Sequence, residues 1–532
     1  MSSETEPMGL WPTQISNQQL LGWTNLAALL GLYYVCKIIY RLYLSPLSHI
    51  PGRKLAAASH VYAFYHNVVC RGQYIWEIEK MHAQYGPIVR IGPDEVHIND
   101  SNFIDTIFAG PGHRREKAQL TINGLGSSPT AIATRSHDLH KSRRAALNPF
   151  FSTKNIRRLE PMVHEVLSQI LQRLETAKKE KRSVNMSLLY RAATHDLIAD
   201  YAFGQGSISF SREDLNQPYF QAYHEMVLTW HFGCYFPWFT HIMRRLPMTI
   251  LTTMVPSVKQ FISMIQAAMV KIDKIKAAAS TEEPERPTIF HGLLSSSLPD
   301  SEKDSTRLAE EANVLLSAGT DSSANTLSAI TFHLLSNPPI LKKLREELEK
   351  AIPDKDERQF PSFNQVEQLP YLSAVIQEGL RLHPAVISRQ QRVAPSEDLV
   401  YVNPSTGTNY RLPRGTVMAM NPLLLARIPA LYPNPGEFRP ERFLEDKRLR
   451  GYGLTFSRGS RMCLGMQLAY QEMYVILAGL FGRFDCAGEK GEGGEWLELY
   501  ETDRGDVEMV RDLVTEGLRD GSVGVRVLVK GL

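Results

Sequence analysis

The chain has 532 residues, a formal charge of +3 and 43% hydrophobic side chains. It can bury a large core, and its near balance of charge gives no global sign of nucleic-acid binding. Its five cysteines (Cys36, Cys70, Cys234, Cys463 and Cys486) are scattered without a C-x-x-C pair. That speaks against a zinc site and a secreted disulfide framework, and favours a reducing compartment.

The first predicted element is a membrane span over residues 20–40, within a tail and anchor of residues 1–44. About 20 apolar residues cross a bilayer as a helix. Trp23 and Tyr40 stand near the two ends, where amphipathic rings favour the interface. Lys37 and Arg41 follow the run and Glu4 and Glu6 precede it, so the positive-inside rule leaves the rest of the chain in the cytosol. A cleaved signal peptide is disfavoured, because the run is long, starts late and has no basic segment before it. The sequon Asn185-Met186-Ser187 then faces the cytosol and carries no glycan.

Residues 45–53, with two prolines and a glycine, read as a stiff connector that sets how the body sits on the membrane. Residues 86–98 alternate about a Gly-Pro turn and predict a β-hairpin, and 399–410 predict a second β region turning at Asn403-Pro404. Apolar i, i+3, i+4 spacing predicts helices over 155–181 and 254–279. Residues 280–305 read as a surface loop. One long helix is predicted over 307–336, stopped by Asn337-Pro338-Pro339, and another over 371–382, ending before Pro384. Residues 488–495 read as a Gly/Glu-rich loop. The fold class is mainly α with a minor β portion, and residues 45–532 form one domain.

Three segments carry candidate chemistry. Ala318-Gly319-Thr320-Asp321-Ser322-Ser323 lies mid-helix, where glycine and hydroxyl residues weaken the helix, and a local widening there holds water or dioxygen against a cofactor. Its plainer reading, a polar stripe on an exposed helix, is opposed by Leu315, Leu316, Ala318 and Ile330. Glu378 and Arg381 share a helix face and can pair, as many surface residues do; Arg442, in Phe438-Arg439-Pro440-Glu441-Arg442-Phe443, offers a second arginine. The third segment is Phe456-Ser457-Arg458-Gly459-Ser460-Arg461-Met462-Cys463-Leu464-Gly465, followed by a helix-favouring run. A thiolate needs nearby positive charge and backbone N–H donors, and a helix N-terminus supplies donors and dipole. Gly459 and Gly465 allow the backbone to turn sharply and to pass a flat partner. A lone cysteine is ordinarily structural; here the neighbours fall at F-x-x-G-x-R-x-C-x-G.

That pattern resembles the haem-binding loop of the cytochrome P-450 family, and the other motifs follow in the family's order over residues 45–532. The resemblance implies the mainly helical cytochrome P-450 fold. It also implies haem b held by Cys463 as axial ligand, with Phe456, Arg461 and Gly465 in the loop. Glu378, Arg381 and Arg442 occupy the places of the family's buried structural cluster, whose role is to hold the chain presenting Cys463. Thr320, Asp321 and Ser322 fall in its oxygen-activation motif, with Ser322 where threonine is usual: the hydroxyl stays, the rotamer-restricting methyl goes. His140 and Arg144 match a W-x-x-x-R that reaches the haem propionates. His140 replaces tryptophan but keeps an N–H donor. Arg392 and Arg461 join these candidates, and Arg144 is the better of the first two, since arginine grips carboxylates at two points. Lys141, Arg143, Arg157, Arg158 and Arg458 are candidates for docking an acidic electron donor.

The implied reaction is monooxygenation, with O2 and with electrons from NADPH through a membrane-bound reductase. No dinucleotide G-x-G-x-x-G occurs, so the chain does not bind NADPH itself. The implied location is the endoplasmic reticulum membrane, single-pass, with the catalytic domain cytosolic. Residues 45–52 and 147–152 resemble filamentous-fungal members of the trichodiene-oxygenase-like type. They point to a hydrophobic terpenoid of secondary metabolism, with a polyketide-type substrate as alternative, and to a pocket built from residues 229–239, 315–320 and 385–388. A haem-thiolate isomerase or dehydratase is disfavoured by the Asp321/Ser322 pair. A membrane-tethered haem binder is the non-enzyme alternative.

Overall fold

The longest helix, Ser305–Ser336, starts where Asp304 accepts hydrogen bonds from the backbone N–H of Thr306 and Arg307, and stops at Asn337 ahead of Pro338. In the computed structural model the described residues are 17–126, 128–243, 245–246, 256–278, 287–352, 360–486 and 494–531. This central helix is buried almost continuously from Ser323 to Leu334. Helices Met186–Phe203, Pro256–Ala278, Pro370–Leu382 and Met466–Arg483 pack around it. Glycines permit two of these approaches: a Cβ on Gly379 would stand 2.3 Å from Ile330, and one on Gly319 3.0 Å from Ile198. The expected widening is absent: the helix is α-helical throughout.

The other helices fall where their apolar spacing puts them, with two corrections. Residues 155–181 form two helices, Thr153–Arg157 and Glu160–Glu180, because Pro161 has no N–H to continue the first and suits the start of the second. The stretch 280–305 is not all loop: helix Ile289–Ser295, capped by Thr288, buries Ile289, Phe290 and Leu293. Its residues 280–286, and most of 488–495, lie outside the described residues.

The β portion is small and peripheral. Ile88–Arg90 and Glu95–Ile98 pair antiparallel, as the 86–98 reading anticipates. Val417–Met420 joins parallel to the second of these, and Gln390–Val393 closes the sheet antiparallel. Leu399–Val402 and Asn409–Leu412 form the second expected hairpin. Arg511–Leu513 and Thr515–Gly517 form a third, close-set hairpin near the end of the chain.

Helix Asn17–Ile39 continues through a wider turn over Tyr40–Leu44, and Trp23–Leu44 is long and apolar enough to cross a membrane. From Trp23 to Ile39 nearly all of its side chains are exposed; Trp23 is 66% exposed. The connector after it is docked to the body. Buried Arg90 donates to the carbonyls of Arg41 (2.8 Å) and Pro93 (2.6 Å), and its backbone N–H donates to Pro51 O at 2.7 Å. Leu47 and Ile50 are buried in the sheet-side core. Around this junction Leu55, Val61, Tyr65 and Val69 are exposed.

A pair of imidazoles ties the central helix to its neighbour. His333 Nε2 and His383 Nε2 lie 2.8 Å apart, and His333 stacks on Phe438. One ring donates and the other accepts, and burial favours the neutral form of both. Burial pushes His383 down to about 3, helped by Arg381, and pushes His333 well below its usual value, helped by His383 itself. The unfolded chain takes up these protons below about pH 6.5 and the folded pair does not, so stability is complete above that pH and falls as the pH drops towards 3. Between pH 7 and 5 His383 alone accounts for a loss of about 2 kcal/mol. Urea denaturation at the two pH values should show a smaller loss in His383→Gln than in the wild type.

Candidate active site

Cys463 lies between a short 3-10 turn, Gly459–Arg461, and the helix Met466–Arg483. Its backbone N–H donates to Phe456 O at 2.8 Å, closing the loop, and Phe456 packs on Tyr470. Gly459 is required here: its φ is +68°, and a Cβ would stand 2.2 Å from the carbonyl oxygens of Phe108 and Ala109. Gly465 needs no special backbone conformation, with an ordinary φ of −85°, and the space where its Cβ would be is open to 4 Å. Burial raises the Cys463 thiol, whereas the N–H groups of Gly465 and Met466 and the charge of Arg144 favour its thiolate. The residue sits deep in the protein yet its surface is open to solvent-sized molecules, so it lines an interior cavity.

Five basic side chains gather about the same cavity. His140 is buried on the helix His137–Leu147 and pushed down to about 3, by burial first and then by Arg461, Lys117, Arg144 and Arg392. Burial and Arg461 lower Arg392 to about 9; burial alone lowers Arg461 to about 10 against a small opposing pull from Glu116. Arg392 reaches Ser457 Oγ at 2.9 Å and lies over the ring of Phe108. Arg144 donates to Asn148 Oδ1 at 2.8 Å. Arg461, a propionate candidate by sequence, instead directs its fork at backbone carbonyls, Thr134 O and Arg135 O both at 2.7 Å, and so holds that loop in place.

The fifth, Lys117, escapes sequence reasoning. It belongs to no motif and reaches the cluster because Glu116 pairs across to Val393 in the sheet. Burial, Arg392 and Arg461 push it well below its usual value. Among the described residues none of the five is ion-paired to a carboxylate. Buried like charges of this kind call for an anionic partner. A planar group with two carboxylates on one edge and a metal seeking a thiolate fits this donor set.

The central helix contributes a second wall. Ala318 and Ser322 share its open face, and Ser322 Oγ donates to Ala318 O at 2.7 Å. Thr320 is not brought to the cavity: it is buried on the opposite face, its hydroxyl donating to Leu316 O at 2.6 Å and its carbonyl accepting from Thr194 at 2.9 Å. Four residues cover about 400° of helical turn, which brings Ser322 back over Ala318, whereas two cover about 200°, which turns Thr320 away from both. Asp321 is paired with Arg191 at 3.0 Å, and Arg191 also donates to Asn325 at 2.9 Å. Arg191 was not legible in the sequence; it lies on another helix, 130 residues away. Ser323 hydrogen-bonds Glu472, whose carboxyl burial pushes up to about 8, linking the central helix to the helix that follows Cys463.

Behind the loop, Glu378 is wholly buried. Arg381 grips it at two points, 2.7 and 2.8 Å, Arg442 Nε donates at 3.0 Å and the Arg439 N–H at 2.8 Å. The two arginines direct their remaining donors at the carbonyls of Ala426, Pro433, Pro435 and Glu437. The ion cluster thus fastens the strand of chain leading to Cys463. Of the docking candidates, Arg143 is buried and paired with Glu302 at 2.7 Å, which removes it from any surface role. Arg157 pairs with Glu367 and Arg458 with Asp105, while Lys141 and Arg158 are exposed.

The sequence model of the family described as cytochrome P-450 matches residues 59–494. The chain is similar to the cytochrome P-450 monooxygenase astB of Talaromyces wortmannii, 38% identical over 94% of this chain and 96% of that protein. It is similar to tpcC of Cochliobolus heterostrophus, 35% identical over 95% and 97%. It is also similar to TRI4 of Trichoderma arundinaceum, 34% identical over 90% of each chain.

Removing one member of a buried ion cluster strands the others and costs about 3–5 kcal/mol. Glu378→Ala should lower stability by that order in chemical denaturation and yield protein retaining little haem. Full haem retention with lost turnover would assign Glu378 a chemical role instead.

Proposed function

The chain belongs to the cytochrome P-450 family and is a monooxygenase of that family, and on that premise we propose that it oxygenates a small hydrophobic metabolite, a terpenoid, within a biosynthetic pathway. The observation that carries the reading is the thiol of Cys463, raised by burial yet reached by two backbone N–H groups, and set beside five basic side chains that are ion-paired to no carboxylate among the described residues. Haem, when bound, supplies the activation of dioxygen and the transfer of one oxygen atom to a C–H or C=C bond.

The residues divide the work. Cys463 would hold the haem iron through its sulfur, whose electron density would favour O–O cleavage in the chemistry that group supplies. Lys117, His140, Arg144 and Arg392 would hold the two propionates of the haem, and Arg461 holds the loop beside them. Ser322 Oγ carries protons into the cavity and Asp321 resupplies them through water, released in turn from Arg191. Phe456 shields the thiolate, and the open side of Gly465 leaves room for the flat ring. Electrons come from NADPH through a reductase, drawn to exposed Lys141 and Arg158 on the cysteine side. Residues 1–44 anchor the chain in the endoplasmic reticulum membrane, and residues 45–532 form the cytosolic catalytic domain. The exposed apolar side chains at Leu55, Val61, Tyr65 and Val69 support contact between that domain and the bilayer.

The direct test is spectroscopic. The reduced carbon-monoxide complex should show the red-shifted band of a haem thiolate, and Cys463→Ala should abolish it; an unchanged spectrum overturns the ligand assignment. Comparing metabolites from the native host with and without the protein would separate a terpenoid from a polyketide-type substrate.

Positioned acid–base groups contribute about 10²–10⁴-fold. Ser322→Ala should therefore keep haem and NADPH consumption but lower product formed per NADPH, with hydrogen peroxide rising. Ser322→Thr should preserve or improve that ratio. An unchanged ratio in Ser322→Ala removes the hydroxyl from the relay.

A further inference from the structure

A cavity of about 210 Å³ lies between the central helix and the helices Met186–Phe203, Gln217–Val227 and Pro256–Ala278. It is separate from the space around Cys463. The central helix lines it with Asn313 and Leu316, seven and four residues before Thr320. Steps of seven and four residues return to one face of a helix, so both share the face that Thr320 turns away from Ser322. Neither Cys463 nor any of the five basic side chains near it lines this second cavity.

Much of its wall is apolar, built from Ala199, Phe203, Ile208, Met264 and Leu316. Lys271 interrupts that wall. Its ammonium stands 5.1 Å from the centre of the Phe203 ring, and among the described residues it pairs with no carboxylate. Burial lowers it, and no acid opposes that shift. Asn216 and Asn313 also line the cavity, and among the described residues their side-chain amides make no hydrogen bond. His195, by contrast, is already committed: its Nδ1 faces Ser209 Oγ at 3.0 Å and Asp196 at 3.3 Å, and its ring packs edge-on against Tyr219. The cavity reaches the surface at Ser263 and Ala267, which are exposed.

Size and charge together select the occupant. A closed apolar cavity of about 150 Å³ holds one benzene molecule, and sites for drug-sized ligands begin at about 300 Å³. This one suits a single ring with a short substituent. A half-buried ammonium with no acid beside it makes that substituent an anion, and the two uncommitted amides add donors of the same kind. We propose that this cavity is a second ligand site, which takes a monocyclic carboxylic acid with its ring among Phe203, Met264 and Leu316 and its carboxylate on Lys271.

The test uses the haem-loaded full chain and matched probes: benzoate and cyclohexanecarboxylate, against the neutral benzyl alcohol and cyclohexylmethanol. Binding is read by equilibrium dialysis with the haem cavity filled by a saturating, bulky azole that coordinates iron. Both acids should bind beside the azole, in the millimolar range or tighter, and about tenfold or more tightly than their alcohols. Lys271→Met should remove that preference and Lys271→Arg should retain it. Ala267→Trp, at an exposed position on the mouth of the cavity, should weaken every probe. The reduced carbon-monoxide band is recorded for each variant as a check that the body is folded. The inference is overturned by no binding of either acid, by equal binding of acids and alcohols, by displacement of the acids with azole, by an acid preference that survives in Lys271→Met, or by unchanged binding in Ala267→Trp. Displacement places the acids in the haem cavity, and equal binding leaves water as the partner of Lys271. None of these outcomes touches the monooxygenase reading, because the site lies on the other face of the central helix.

Discussion

Glu378 lies at zero exposure between two guanidinium groups and a backbone N–H, and the geometry around Cys463 is built on that contact. Taking three charges out of water carries a large desolvation cost, and it is offset only when every donor and acceptor finds a partner. Here the helix Pro370–Leu382 supplies Glu378 and Arg381, and the irregular chain 426–442 supplies Arg442 and the carbonyls that complete the arginines. An irregular segment is thereby given a single position on a rigid helix. The thiol that follows it inherits that position.

The charged groups of the interior fall into two kinds. Glu378, Asp512 and Asp196 are each surrounded by donors from the protein itself. Lys117, Arg144, Arg392 and Arg461, with the neutral His140 among them, form a basic group with no ion-paired carboxylate among the described residues. The first kind holds the fold. The second is tolerated because it lines a cavity, where a bound molecule completes what the protein leaves open. The same desolvation rule thus separates scaffold from site.

The membrane-proximal end follows a similar logic. An exposed apolar helix would be a free tether if its connector were flexible. Arg90, wholly buried in the first sheet, binds the carbonyls of Arg41, Gly92 and Pro93, and its own N–H binds Pro51. The end of the span, the connector and the sheet therefore move as one piece.

Much of this was legible in the amino-acid order. The apolar run at 20–40, the long helix ended by prolines, the two hairpins, and the Glu378, Arg381 and Cys463 motifs all depend on neighbours three or four residues apart, or on loop residues with one backbone role such as Gly459. What the sequence could not reveal are contacts between distant segments. Lys117 joins the cations only through the bridge from Glu116 to Val393. Arg191 meets Asp321 across 130 residues, and Arg143 turns inward to Glu302 instead of outward to solvent. Thr320 and Ser322 look equivalent in the chain, yet only the packing of the helix Met186–Phe203 decides that one is sealed away and the other faces the cavity. Local order determined the elements and the ligand loop. Tertiary packing decided which charges are satisfied and which await a partner, because burial is a property of the assembled fold and not of any one segment.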